Sequence, residues 1–182
     1  MVDGLNEKRV KTKYLDVFKE LKDKAVNLRS CEFLFSVFLK SYPKMKLSWD
    51  DDWGKWTSNI LTFFAELGKF YGYQIYLKPE YGVLNLGNEP STEYLVDLCW
   101  CLEDEYERAY WMEIALESEL SSQDIDSIKY DFWKLTDVNA YTKVAVFAPR
   151  LRDRQIVLEE LVALVAHHEM SPRRKISDYT DS

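Results

Sequence analysis

The sequence predicts an α/β fold, a three-layer sandwich with a central mixed β-sheet flanked by helices and an extra helical segment at the N-terminus. Three observations predict it. Apolar residues recur at helical spacing up to residue 72; strand-like runs replace them between 73 and 120; helix, strand and helix patterns then follow in turn. With 182 residues, 47% of them apolar and 15% aromatic, the chain has enough apolar surface for one packed core.

Each element has its own signal. Residues 11–29 place Tyr14, Val17, Phe18 and Leu21 on one helical stripe among lysines and acids. A shorter, more apolar helix follows at 31–41 and is expected to stop before Pro43. The run SWDDDWGKW brings acids to the positive end of the next helix, and Gly54 is expected to relax the turn there. That helix, 56–71, buries Ile60, Phe63, Phe64 and Leu67, and Gly72 ends it. Residues 73–77 favour a strand, and 78–90 are punctuated by Pro, Gly and Asn as a loop. Runs at 94–102 (YLVDLCWCL) and 109–120 (AYWMEIALESEL), joined by the charged link EDEYER, predict an antiparallel hairpin. Residues 121–124 supply an N-cap for a helix through Leu135, with Ile125, Ile128, Phe132 and Leu135 apolar. The run KVAVFA at 143–148 suits a strand covered on both faces, and Pro149 closes it. An amphipathic helix over 150–168 and a polar tail over 171–182 complete one domain, with a helical extension at 1–50 and a core at 56–169.

Composition narrows the function. The net charge of −7 lacks the basic footprint of a general nucleic-acid or anionic-membrane binder, so contact with a polyanion requires a local patch or bound cations. Arg150, Arg152 and Arg154 with Lys143 are the densest such patch, and Arg173, Arg174 and Lys175 form a basic tail; both also read as solubilising charge. The three cysteines form no disulfide framework, and Cys99 and Cys101 lack the second pair of a zinc site, so they read as small core residues. There is no signal peptide and no apolar run of the roughly 20 residues that cross a bilayer, which predicts a cytoplasmic protein without a membrane partner. His167 and His168 suit the negative end of the last helix, and Trp49, Trp53 and Trp56 read as core aromatics rather than a base-stacking surface.

Chemistry concentrates on the hairpin. Strand side chains alternate between faces, so Tyr110, Met112, Ile114 and Leu116 make a core face. Trp111, Glu113, Ala115, Glu117 and Glu119 then share the other face, which alternation alone explains as a solvated surface. Asp97 interrupts an otherwise apolar strand, where an acid needs a partner or a purpose. Normal pairing brings Asp97 near Glu117 or Glu119. Clustered carboxylates repel, and a divalent cation reverses that penalty. Hard oxygen ligands suit Mg²⁺ or Mn²⁺, which lower the pKa of water and neutralise phosphoryl charge. Lys134, three residues after Asp131 on the following helix, can lean over the strand carrying these acids and stabilise charge on a phosphoryl group.

Asp97, then Glu117-Ser118-Glu119 on the next strand, within helix–strand–hairpin–helix–strand, resembles the PD-(D/E)xK nuclease superfamily, the restriction-endonuclease-like fold. The resemblance covers residues 56–169. It implies that Asp97 and Glu117 are the metal-binding acids, with the backbone carbonyl of Ser118 close to the metal. Glu119 stands in the usual lysine position, as in the E-x-E variant of the motif, and Val96 stands where the motif has proline. Glu66 resembles the accessory acid of the preceding helix, and DFWKL resembles members whose lysine has moved to the following helix, here Lys134. The implied activity is Mg²⁺- or Mn²⁺-dependent hydrolysis of phosphodiester bonds in nucleic acid, with DNA favoured over RNA as the partner; a homodimer is a separate expectation, with the N-terminal helices as the candidate dimer or partner interface. A second reading is a non-catalytic member of the same fold that binds a partner through its acidic face. A third is an immunity or inhibitor protein matched to a basic target.

Overall fold

A computed structural model describes residues 12–22, 27, 29–48, 51–77, 96–103, 109–121 and 124–170. In chain order these form α1 (Leu15–Lys22), α2 (Cys31–Met45), α3 (Trp53–Phe70), β1 (Gln74–Leu77), β2 (Leu98–Glu103), β3 (Ala109–Glu119), α4 (Ile125–Asp137), β4 (Ala140–Phe147) and α5 (Arg154–Met170). The sheet order is β1-β2-β3-β4, with β1, β2 and β3 antiparallel in succession and β4 parallel to β3 after the crossover through α4. This is an α/β architecture with a mixed sheet. The loop at 78–90, Trp49, most of the link EDEYER, the start of the 94–102 strand, parts of the first expected helix, the His168 side chain and the tail with Arg173, Arg174 and Lys175 lie outside the described residues.

The main core lies between α1–α3 and one face of the sheet. Phe18, Phe63, Leu61, Leu67, Leu98, Trp100, Ile114 and Leu116 are fully buried there. At about 1.5–3 kcal/mol for each large apolar side chain, this layer dominates the stabilisation. The closest approach is at Gly68 of α3, where an added Cβ would stand 2.5 Å from Ile75 Cδ1 and 2.6 Å from Trp100 Nε1. Trp100 Nε1 also donates to Phe64 O at 3.0 Å, so the indole joins helix and sheet by both packing and hydrogen bonding. Gly72 follows with φ 85°, a left-handed turn that leads directly into β1. A smaller core on the opposite face joins Val96, Cys99, Cys101 and Ala115 to Leu135 of α4. Cys99 and Cys101 are buried free thiols with sulfurs 3.8 Å apart.

Several sequence expectations are corrected. α2 runs through Pro43 to Met45 and ends at Lys46, whose φ is 53°. The proline sits in the last turn, where the missing N–H frees only a carbonyl next to solvent. α3 begins at Trp53, with the Asp52 carboxylate accepting from Lys55 N at 2.8 Å, so Gly54 lies inside the helix. Asp97 stands in the bend before β2 rather than within the strand. β4 is an edge strand with Tyr141 53% exposed, not a strand covered on both faces. α5 follows a 3-10 turn (Leu151–Asp153), and Val157 is its buried anchor while Ile156, Leu158, Val162 and Val165 are exposed.

The largest correction concerns β3. Trp100 pairs with Ile114 but Cys101 pairs with Met112, so Glu113 is the extra residue of a β-bulge. The bulge reverses the alternation. Met112 joins Ala115 on the α4 side, whereas Ile114 and Leu116 pack toward α3. Glu113 therefore leaves the face of Glu117 and Glu119 and meets Arg29, whose Nη1 donates to Glu113 Oε2 at 2.6 Å. Nor is this a solvated strand face, because Glu113 and Glu117 are both buried.

Candidate active site

Three elements converge on the α4 side of the sheet. Leu98 pairs with Leu116, which sets Asp97 and Glu117 opposite each other at the start of β2. They are 4% and 2% exposed. Ser118 N donates to Asp97 Oδ2 at 2.9 Å, so β3 itself holds the carboxylate of the preceding bend. The bulge at Glu113 keeps Glu117 on the α4 side while the residues before it change face.

α4 supplies the cation. Its N-cap Asp124 accepts from Ser127 N at 3.2 Å, and Leu135, 1% exposed, anchors it in the smaller core. Lys134, next to that anchor, places Nζ 2.7 Å from Asp131 Oδ1 and 3.1 Å from Glu117 Oε1. The Tyr130 ring lies 5.6 Å from the same nitrogen. Glu117 Oε1 is within ion-pair range of Lys134 but outside hydrogen-bond geometry, and Ser118 Oγ is likewise buried without a hydrogen-bond partner.

Electrostatics follow from this placement. Burial, then the adjacent charge of Asp97, pushes the Glu117 carboxyl up to about 8, against the pull of Lys134. For Lys134, burial works against the charged form, but the hydrogen bond to Asp131 and the charge of Glu117 outweigh it and raise the ammonium above its ordinary value. Burial and the adjacent acid thus disfavour the charged form of Glu117, and Lys134 opposes them.

The remaining candidates are placed differently. Glu119 lies two residues beyond Glu117 at the end of β3, where Ser121 Oγ donates to its Oε1 at 2.7 Å. Glu66 accepts from Thr12 Oγ1 at 2.6 Å; burial raises its carboxyl, while Thr12 and the charge of Lys13 lower it. That contact ties Glu66 of α3 to the residues before α1. Among the described residues, no three His, Cys, Asp or Glu side chains are arranged to hold a metal ion. Arg150, Arg152 and Arg154 are exposed beyond the end of β4, whose Phe147 pairs with Glu119, so they lie toward the same end of the sheet as the acids. Trp53 and Trp56 are partly buried against the main core, with ring centroids 6.4 Å apart. His167 is exposed near the end of α5.

Two features were not anticipated from the sequence. The Arg29–Glu113 pair joins residues 84 apart, and the guanidinium also covers the Tyr141 ring at 4.2 Å. Tyr130 beside Lys134 was equally unforeseen, although its position four residues before Lys134 is the spacing at which helix side chains meet. Comparison with protein-family models, with curated proteins and with solved structures finds no match to this chain.

Proposed function

We propose that this chain is a metal-dependent nuclease that hydrolyses phosphodiester bonds of nucleic acid, DNA rather than RNA, with its site at Asp97, Glu117 and Lys134. The observation that carries the reading is the facing pair of buried carboxylates with a helix-borne lysine against one of them. The element order from α3 to β4, with three antiparallel strands and a parallel fourth, supports the restriction-endonuclease-like resemblance.

The donor set fits a hard divalent cation. Glu117 Oε1 is buried without a hydrogen bond, and burial, then the neighbouring acid, raises its carboxyl. Mg²⁺ is commonly bound by one or two carboxylates, with water and substrate phosphate completing the shell, so a two-acid site needs no third acid. Asp97 and Glu117 would hold the ion, with the Ser118 carbonyl as a further oxygen. When bound, the cation supplies charge neutralisation at phosphate and a more acidic water. The chain's own groups do the rest. The Ser118 N–H fixes Asp97, Asp131 holds Lys134 charged, and Lys134 offers a positive charge to a phosphoryl oxygen beside Glu117. Glu119 follows at the end of β3, two residues along the same strand.

The test is cleavage of single-stranded DNA, double-stranded DNA and RNA in Mg²⁺ or Mn²⁺ by wild type, Asp97→Asn and Glu117→Gln. The reading expects metal-dependent cleavage that falls by about 10²–10³-fold in each variant. Undiminished cleavage by either variant contradicts it. Metal binding without cleavage of any nucleic acid favours the partner-binding alternative.

A further inference from the structure

Three sulfur-bearing side chains meet in the smaller core. Cys99 and Cys101 lie two apart on β2, so both thiols point to the α4 side, where their sulfurs stand 3.8 Å apart. Met112 is the third. Ala115 and Ile114 stand opposite Cys99 and Trp100, so regular pairing would set Glu113 against Cys101. The β-bulge turns Glu113 away to Arg29 and sets Met112 opposite Cys101 instead. The Met112 side chain packs against the cluster that holds both thiols. The bulge thus exchanges a carboxylate for a thioether beside the thiol pair.

The surroundings select the ligand. Val96, Ala115 and Leu135 complete the cluster, so a strongly hydrated ion such as Mg²⁺ would lose its water here without oxygen donors to replace it. Among the described residues no third His, Cys, Asp or Glu joins the thiols to hold a metal, which leaves Zn²⁺ short of its four ligands. Thiolates and a thioether are the soft donors that favour Cu(I). Spacing agrees. With metal–thiolate bonds of about 2.3 Å, a trigonal ion holds its sulfurs about 4.0 Å apart and a linear one about 4.6 Å. The observed 3.8 Å matches the trigonal case, which needs a third donor. Cys99 and Cys101 are 0% and 2% exposed, whereas Met112 is partly exposed, so the thioether marks the side from which an ion reaches the thiols.

We propose that Cys99, Cys101 and Met112 form a binding site for Cu(I), three-coordinate through two thiolates and a thioether. On binding, each thiol passes its proton to solvent as its Cu–S bond forms, Met112 donates a neutral lone pair, and the copper stays Cu(I). The acid pair plays no part, because its donors are oxygens that suit Mg²⁺ or Mn²⁺.

The test is anaerobic titration of the reduced full chain with Cu(I) against a chromophoric Cu(I) chelator. Wild type, Cys99→Ala, Cys101→Ala, Met112→Leu and Cys31→Ser are compared, with circular dichroism of each. Wild type is expected to take about one Cu(I) per chain from the chelator. Either alanine variant should weaken binding by more than the roughly 10–100-fold typical of changes outside the ligand set. Met112→Leu, a volume-conserving change at a partly exposed position, should weaken it by about 10-fold. Cys31→Ser should bind as wild type does, because Cys31 is exposed at the start of α2. X-ray absorption of the wild-type complex reads the donors without any core substitution and should show sulfur alone around the copper. No transfer of Cu(I) from the chelator, unchanged binding in either alanine variant or in Met112→Leu, loss of binding in Cys31→Ser, or oxygen or nitrogen bound to the copper overturns the proposal.

Discussion

Lys134 Nζ lies 3.1 Å from Glu117 Oε1, and that carboxylate is 2% exposed. The lysine comes from a helix anchored by Leu135 and the acid from the middle of the sheet, so both are held by packed elements rather than by loops. A buried acid next to a second acid is costly, and the lysine offsets only part of that cost. In the proposed reading, a bound cation would offset the remainder of that cost.

Lys134→Met separates binding from turnover. If Lys134 serves phosphoryl charge rather than the cation, the variant keeps Mn²⁺ affinity within a few-fold and loses about 10²–10³-fold in kcat. Single-turnover cleavage beside a Mn²⁺ titration checks this. Loss of Mn²⁺ binding instead assigns Lys134 to maintaining the acid pair.

Stability is expected to fall as pH rises between about 5 and 8. The Glu117 carboxyl titrates near 8 in the folded chain against 4.5 ordinarily. Between those values the unfolded chain has released a proton that the folded chain still holds, so rising pH favours unfolding. Its contribution is fully present below the ordinary value and lost as pH passes through the folded one. Glu117→Gln removes the titration and should stabilise the protein at pH 8 by about 1–3 kcal/mol. Urea unfolding at several pH values checks both statements, and an unchanged slope in the variant contradicts them.

Arg29 and Glu113 have a structural role. Arg29→Ala leaves a carboxylate, 4% exposed, without its cation and removes the cover of Tyr141. The expected loss is about 2–3 kcal/mol, because the guanidinium is itself partly exposed. Thermal denaturation measures it, and Mn²⁺ binding at Asp97 and Glu117 should be unaffected.

Gly68→Ala places a methyl group within 2.7 Å of both Ile75 and Trp100, at the closest contact of α3 with the sheet. Neither neighbour can yield without disturbing the core, and the Trp100 hydrogen bond to Phe64 O would be strained. A loss of about 3 kcal/mol is expected in chemical denaturation. Wild-type stability would show that the helix can move away from the sheet.

The sequence made some of this legible. Periodicity located α3, α4 and the β2–β3 hairpin, because each buries a regular apolar face. Asp97 attracted attention as an acid amid apolar residues, and Lys134 by its helical spacing from Asp131. The bulge was not legible. One extra residue at Glu113 leaves the letters of β3 looking like simple alternation, and only pairing with β2 shows that the faces exchange. Edge position was hidden for the same reason, since KVAVFA reads as a covered strand whatever lies beside it. Glu66 illustrates the reverse case: a helix acid at a suggestive place in the order, engaged by Thr12 from a distant segment that no local pattern could nominate.

The central claim is tested most directly by calorimetric titration of Mn²⁺ near pH 7, in two buffers of different ionisation enthalpy, with wild type beside Asp97→Asn and Glu117→Gln. Wild type is expected to bind saturably and to release close to one proton, because the cation replaces the proton held on Glu117. Both variants should lose binding. Saturable binding that survives in either variant, or binding without proton release in wild type, would contradict a metal centre at this acid pair.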